Sequence, residues 1–528
     1  MSQDWSRRQL LKNAGTTALG LAGLGAIGTG VCGCGARASA RAIRETTVSK
    51  SVRTFISRPD LSPPMIDIKS KSMPADPGYI MLATVASGPG EGGTMIMRTN
   101  GELVWFAPDV DSSKMDFNCQ TYHGKKVLTW WEGKITGAGY GLGVGKIADE
   151  SYQNIHTVRA GNGLQVDLHE FNLTPQGTAL VTAYRPSRAD LTPVGGPAQG
   201  WLVSGVAQEI DIATGKVLFE WDSLDHVPME DTYQPFVYGK FEFGTVKHPF
   251  DYFHINSISP TSDGNFLISS RNCWTIFKVS KKTGEIMWRL GGNKSDFTLD
   301  KGAVFHWQHH VRSHGADDST LTVFDNGASP VKAKESRALV LDLDEAKKRV
   351  TLRHQYIHPG KVLLSDAMGS AQLLPDGRMF VGWGTSPYFS AFSADGEVLL
   401  DAAMTKGDPS YRAFISDWTG NPADQPSVAA RPRSGGATIY VSWNGATSVH
   451  SWTVFAGKSP NALTRAGTVR KSDFETAIEI GSSGPYFSVQ ANDPAGRAVG
   501  KSNVVAMGRA PTTKQKNYGG CGYSNCGY

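Results

Sequence analysis

The sequence predicts an all-β protein: a six-bladed β-propeller followed by a small immunoglobulin-like β-sandwich. Three observations carry this expectation. Gly occurs 60 times and Trp 13 times among 528 residues, of which only 19% are charged, a balance that suits turn-rich sheets better than helices. Between about residues 74 and 426 a Gly-containing turn repeatedly precedes an alternating apolar run: TNGELVW at 99–105, DIATGKVLFEW at 211–221, KKTGEIMW at 281–288 and SADGEVLL at 393–400. Each such segment reads as a β-hairpin. After Gln425 the texture changes to the sandwich-like runs RPRSGGATIYVSWNG, SVHSWTVFAG and PYFSVQANDPAG.

In chain order, residues 1–40 read as an export signal. SRRQLLK places Arg7 and Arg8 before a Gly/Ala-rich run from Asn13 to Val31, which resembles a twin-arginine signal. The run is too poor in Leu, Ile and Phe to predict a permanent membrane span. ARASA, ending at Ala40, supplies a cleavage site; the alternative, a lipid anchor on Cys34, is disfavoured because Cys32 stands where a small or aliphatic residue is wanted. Residues 41–73 form a linker. The formal charge is +5, and Arg7, Arg8, Lys12 and Arg37 against Asp4 supply +3 of it, leaving +2 for the rest of the chain. Nothing in that balance points to a nucleic-acid partner.

Residues 74–426 form the propeller. A second signature precedes two of the hairpins: SDGNFLISS at 262–270 leads to KTGEI, and PDGRMFVGW at 375–383 leads to ADGEV. A turn–strand–turn–strand unit therefore recurs, as four-stranded blades arranged radially require. Long insertions at 185–205 and 226–250 suit loops that build a site on one face. Residues 427–510 form the sandwich, with Trp443, Trp452 and Tyr486 at strand spacing, and 511–528 form a flexible tail. Cys119, Cys273, Cys521 and Cys526 are compatible with two disulfides in an oxidising compartment.

The chemistry concentrates in two stretches, DYFHINS at 251–257 and FHWQHH at 305–310, with Arg271 seventeen positions beyond His254. Imidazoles, an amide and a guanidinium together suit an anionic group in transfer. On a helix, His306, His310 and His314 would align as metal ligands. The β texture predicts a strand instead, with His309 and His310 on opposite faces, so no metal and no cofactor are expected. Asp325 and Asn326 read as a turn with Gly327.

The ordered set GNGLQVDLHEF (161–171), DYFHINSI (251–258), SSRN (269–272), FHWQHH (305–310) and FDNGAS (324–329) resembles the arylsulfotransferase family of secreted propeller enzymes, in its branch with a C-terminal β-sandwich. The resemblance implies transfer of a sulfuryl group from a phenolic sulfate ester to a phenolic acceptor. It implies no nucleotide sulfate donor, and a ping-pong course through a transiently sulfated histidine. By the family pattern His309 is the nucleophile, His254, Asn256 and Arg271 hold the sulfuryl oxygens, and His169 is a further histidine of the site. Trp130, Trp131, Trp383 and Tyr388 are expected to wall a planar phenol, and Arg271 has the alternative of pairing with Asp251. Two other functions fit the repeats: a pyrroloquinoline-quinone dehydrogenase and a non-catalytic extracytoplasmic binding propeller. The expected partners are small molecules, and the sequence carries no signature of an oligomeric state.

Overall fold

Every hairpin singled out in the sequence forms where its turn residues dictate. Gly101, Gly215, Gly284 and Gly396 all take positive φ, the conformation that reverses a strand without a Cβ clash. They join Gly93–Arg98 to Leu103–Pro108, Gly200–Asp211 to Val217–Asp222, Thr275–Val279 to Ile286–Gly291, and Tyr388–Phe392 to Val398–Met404. The structure, a computed structural model, describes residues 52–509 apart from 75–77, 86–91, 137–138, 239–240, 405–407 and 483. The expected export signal and the tail with Cys521 and Cys526 lie outside the described residues.

Six sheets, each built on four antiparallel strands, follow one another along the chain. The first runs Ser113–Tyr122 to Asn154–Val158, the second Phe171–Leu173 to Val217–Asp222 and the third Ile255–Pro260 to Ile286–Gly291. The fourth runs His309–His314 to Arg349–Tyr356 and the fifth Ser370–Leu373 to Val398–Met404. In the sixth, Ser410–Ser416 pairs with Tyr79–Thr84, which leads to Gly93–Arg98 and Leu103–Pro108, so the two ends of the ring share a sheet. The first strand of each sheet lies against the next sheet, and Ser410–Ser416 returns to Ser113–Tyr122. That cycle of contacts is a closed propeller. No α-helix occurs among the described residues, and no helix there is long and apolar enough to cross a membrane.

Apolar side chains fill the wedges between sheets. Trp221, Phe253, Ile255, Phe266 and Phe277 pack in one wedge, and Leu267, Trp288, Val311 and Leu341 in the next. Burying each such side chain contributes about 1.5–3 kcal/mol. Cys119, on Ser113–Tyr122, and Cys273, in the turn after Phe266–Ser270, are buried free thiols; both pack as small core residues.

A two-sheet β-sandwich follows. Ser427–Arg433, Gly436–Ser442 and Glu475–Ile480 form one sheet, and Ser451–Ser459, Ala462–Arg470, Tyr486–Asn492 and Ala498–Lys501 belong to the other. Their core holds Ile439, Val441, Trp452, Phe487 and Val489. The sandwich is tied to the ring by paired hydrogen bonds between the Asn444 amide and the Phe106 backbone, both 2.9 Å, and by Tyr152 donating to the Gly445 carbonyl at 2.8 Å.

Candidate active site

Equivalent positions in three successive sheets carry the three histidines. His169 stands just before the inner strand Phe171–Leu173, His254 just before Ile255–Pro260, and His309 opens His309–His314. Because the sheets are radial repeats, one topological position repeated three times lands at one end of the ring axis. The His169 and His254 ring centroids are 4.8 Å apart, and those of His169 and His309 are 6.4 Å apart. Sequence separations of 85 and 55 residues, from the numbering, are thus cancelled by the closure of the ring.

Each imidazole is held from behind, and the holders differ. Asp167 Oδ2 lies 2.6 Å from His169 Nδ1, and Asp251 Oδ2 lies 2.5 Å from His254 Nδ1. Behind His309 stands a neutral amide: Asn326 Oδ1 is 2.7 Å from His309 Nδ1. The Asn326 amide donates to the Ser365 and Met368 carbonyls at 2.9 and 3.0 Å, so its oxygen, not its nitrogen, faces the ring. His309 Nδ1 therefore carries the proton. The Met368 backbone N–H points at Nε2 from 3.3 Å, which agrees with a lone pair on that atom. Sequence reading took Asn326 for a turn residue; the buried side chain is instead the orienting group of His309.

Burial sets the titration of the group. It pushes His309 well below the ordinary imidazole range, with the Arg271 charge and His169 adding to the effect. It pushes His254 well down too, with His169 and Arg271 contributing, and pushes Asp251 up to about 7 against its bond from the His254 backbone N–H. Asp167 goes the other way. Burial opposes its charge, yet the His169 ring and the backbone N–H groups of Gly141 and His169 outweigh that and hold it below the usual carboxylate range.

Arg271 shares the site. Its backbone N–H donates to the His254 carbonyl at 3.0 Å, its guanidinium lies 4.8 Å from the centre of the Trp307 ring, and one nitrogen donates to the Asp366 carbonyl at 2.9 Å. Both Asp251 oxygens are engaged by His254, through its ring and its backbone N–H. Asn256 braces the cluster: its amide donates to the Gln308 carbonyl at 2.6 Å, fixing the residue that precedes His309. His254, Trp307 and His310 all have φ between 50° and 59°, a region costly for residues with a Cβ and one that gathers at functional sites.

The three-histidine helix does not form. His310 turns to the Ala371 backbone at 3.2 Å and His314 to Thr322 at 2.9 Å, while His306 sits edge-on to Trp274 at 4.7 Å. A register irregularity between His309 and Arg312 replaces simple alternation. Deeper along the inner strands a cavity of about 150 Å³ is lined by Asp116, Glu170, His310, Arg312, His314 and Arg412, among others. There Arg412 bonds Asp116 at 2.9 Å and Glu170 at 3.1 Å, and Arg312 bonds Glu170 at 2.7 Å.

The four aromatics expected as a wall lie in three separate core clusters. Trp131 and Trp383 are fully buried, with indole N–H groups donating to the Val166 carbonyl and the Ser390 hydroxyl. Trp130 packs in the core with Trp105 and Trp418, and Tyr388 is capped by Lys361. Strand ends bury such rings against the neighbouring sheet, which composition alone does not reveal. The aromatics beside the histidines are Tyr184, 6.0 Å from His254, and Tyr411, 5.7 Å from His169. The sequence pattern singled out neither, nor Asp167, and offered Asp251 only as an alternative partner of Arg271. An Asp two or three residues ahead of each histidine, in DLH and DYFH, was the signal available.

Residues 118–405, more than half of the chain, match the family model described as Arylsulfotransferase (ASST). No curated protein matches the sequence. Among solved structures, a protein of unknown function from Bacteroides caccae is 13% identical, over 64% of this chain and 98% of that one, with a TM-score of 0.36. A Lactobacillus plantarum protein is 12% identical over 76% and 99%, with a TM-score of 0.33. Virginiamycin B lyase from Staphylococcus aureus is 9% identical over 72% and 97%, with a TM-score of 0.31.

Proposed function

The chain belongs to the arylsulfotransferase family, and from that premise we propose that it moves a sulfuryl group from a phenolic sulfate ester to a phenol through a sulfated His309. The family match sets aside the quinoprotein and non-catalytic readings of the repeats. One observation supports this assignment of roles above the others: of three converging imidazoles, two are backed by buried carboxylates and one by an amide. A carboxylate can exchange a proton with the ring it backs, whereas an amide cannot and only fixes the tautomer. The amide-backed ring, with its lone pair on Nε2, is the nucleophile, and the carboxylate-backed rings handle protons and negative charge.

In the first half-reaction, the His309 Nε2 lone pair attacks sulfur, forming N–S as the S–O bond to the aryl group breaks. The departing phenolate takes a proton from the Asp251–His254 pair. That pair gains a proton as the pH falls through about 7. Whichever partner holds it, His254 presents an N–H at Nε2, because a proton on Asp251 donates to Nδ1 and displaces the ring proton to the other nitrogen. In the second half-reaction, an incoming phenol returns its proton to the pair, its oxygen attacks sulfur, and the N–S bond breaks. Arg271 and His169 offset the charge spread over the sulfuryl oxygens, the largest contribution available to a transfer that goes through a loose transition state. Asn256 supports the same geometry through Gln308.

The reading extends to organisation. Each of the six sheets is taken as one blade, residues 74–426 as the catalytic ring and 427–510 as an immunoglobulin-like module. The Arg7–Arg8 signal is taken to deliver the chain, folded, outside the cytoplasm. A transfer assay with an aryl sulfate donor and a phenol acceptor, run without any nucleotide, tests the function: sulfated acceptor formed in step with released phenol supports it, and its absence under donor and acceptor excess contradicts it.

A further inference from the structure

The same three imidazoles have the construction of a metal centre. Each has its Nδ1 committed, to Asp167, Asp251 or Asn326, so Nε2 is the nitrogen each keeps for a ligand, that of His309 being met by the Met368 backbone N–H at 3.3 Å. The histidines' ligand atoms all lie within 4.8 Å of one another. Metal-ligating histidines are held in this way, by a carboxylate or a carbonyl oxygen on the outer nitrogen, which fixes the tautomer and makes the inner nitrogen a better donor. Zn–N bonds of about 2.0–2.1 Å in tetrahedral geometry place ligand nitrogens roughly 3.4 Å apart, so binding draws the rings together by up to about 1.4 Å.

We propose that His169, His254 and His309 bind one divalent transition ion, Zn²⁺ or Co²⁺, through their three Nε2 atoms, and that the bound ion switches sulfuryl transfer off. The ion occupies the lone pair with which His309 would attack sulfur and leaves its fourth position open to water or to the acceptor. The binding half stands on geometry alone, whereas the inhibitory half rests on the reading of His309 as nucleophile.

The full-length purified protein, stripped with a chelator, is titrated with Co²⁺ and Zn²⁺ without substrate. One equivalent should bind, with the intense visible bands of a low-coordinate Co²⁺ site. His169→Asn, His254→Asn and His309→Asn should each weaken binding a hundredfold or more, and Asp251→Asn, which touches no ion, by about ten- to a hundredfold. His314→Asn, on the deeper cavity, should bind as wild type. In the transfer assay Zn²⁺ should raise the apparent KM for the donor, with full recovery on chelation. Failure to saturate at one equivalent, or undiminished binding by His309→Asn, overturns the metal site. Stoichiometric binding with unchanged turnover overturns the inhibitory role. If the protein shows no transfer at all, the Co²⁺ titration still decides the metal site.

Discussion

Asn326 accepts the Nδ1–H of His309 at 2.7 Å while its own amide N–H groups are taken by the Ser365 and Met368 carbonyls. The amide can neither rotate nor flip without losing a buried bond. It therefore fixes which nitrogen of His309 keeps its lone pair, and it does so without adding charge.

Replacing Asn326 with Leu removes the orienting bond but not the ring. Turnover should fall by at least about a hundredfold, as expected when an imidazole is left free to adopt the wrong tautomer, with donor KM little changed. Asn326→Asp separates orientation from charge. The carboxylate holds the same tautomer but raises the His309 pKa, so this variant should lose activity on the acid side at a higher pH than wild type. Steady-state rates from pH 5 to 9 check both.

In the proposed mechanism the Asp251–His254 pair is the acid of the first half-reaction. Burial pushes Asp251 up to about 7, so the protonated pair is present below that pH and is lost above it. Phenol release in single turnover should fall with rising pH through about 7, most steeply for donors whose phenolate is a poor leaving group. His309, held well below the imidazole range by burial, should impose no acid-side loss where an ordinary imidazole would titrate. A profile that rises through pH 7 for every donor would remove the pair from this role.

Arg271→Lys keeps a positive charge and loses the planar fork. If the guanidinium grips sulfuryl oxygens more tightly as charge develops, turnover should drop by roughly a hundredfold or more with donor KM changing much less. Kinetics with one aryl sulfate, alongside a thermal melt, distinguish this from simple loss of the Asp366 contact.

His310 gives a stability prediction independent of catalysis. Burial, with Arg312 and Arg412 nearby, holds it well below the ordinary imidazole value. The unfolded chain binds a proton below about pH 6.5 that the folded chain refuses, so stability is lost as pH falls through that range, by about 1.4 kcal/mol per pH unit for one proton. His310→Gln should flatten the slope between pH 6.5 and 5 by about that amount in urea melts, whatever it does to stability at pH 8.

The all-β propeller and the converging motifs were legible in the sequence because turn glycines and strand alternation are local signals. LHEF, DYFHINS, SSRN and FHWQHH meet because each lies at or beside the start of an inner strand or its neighbour. What sequence could not show was which way side chains turn once the ring closes. Asn326 looked like turn chemistry beside Gly327, and its orienting bonds come from residues 39 and 42 positions away. Tyr411 reaches the His169 carbonyl across 242 residues, from the strand that closes the ring. Trp131 and Trp383 carried the composition of a binding wall but went to the core, where the space between sheets demands large rings.

The central claim is that His309, rather than its neighbour His310 or the carboxylate-backed His254 and His169, carries the sulfuryl group between donor and acceptor. Mass spectrometry of peptides from enzyme quenched after a single exposure to aryl sulfate without acceptor tests it most directly. Added sulfuryl mass is expected on His309, chased off by a phenol acceptor and absent in a folded His309→Asn variant. Sulfuryl mass on His254, His169 or His310, or catalytic transfer with no labelled residue at any quench time, would contradict it.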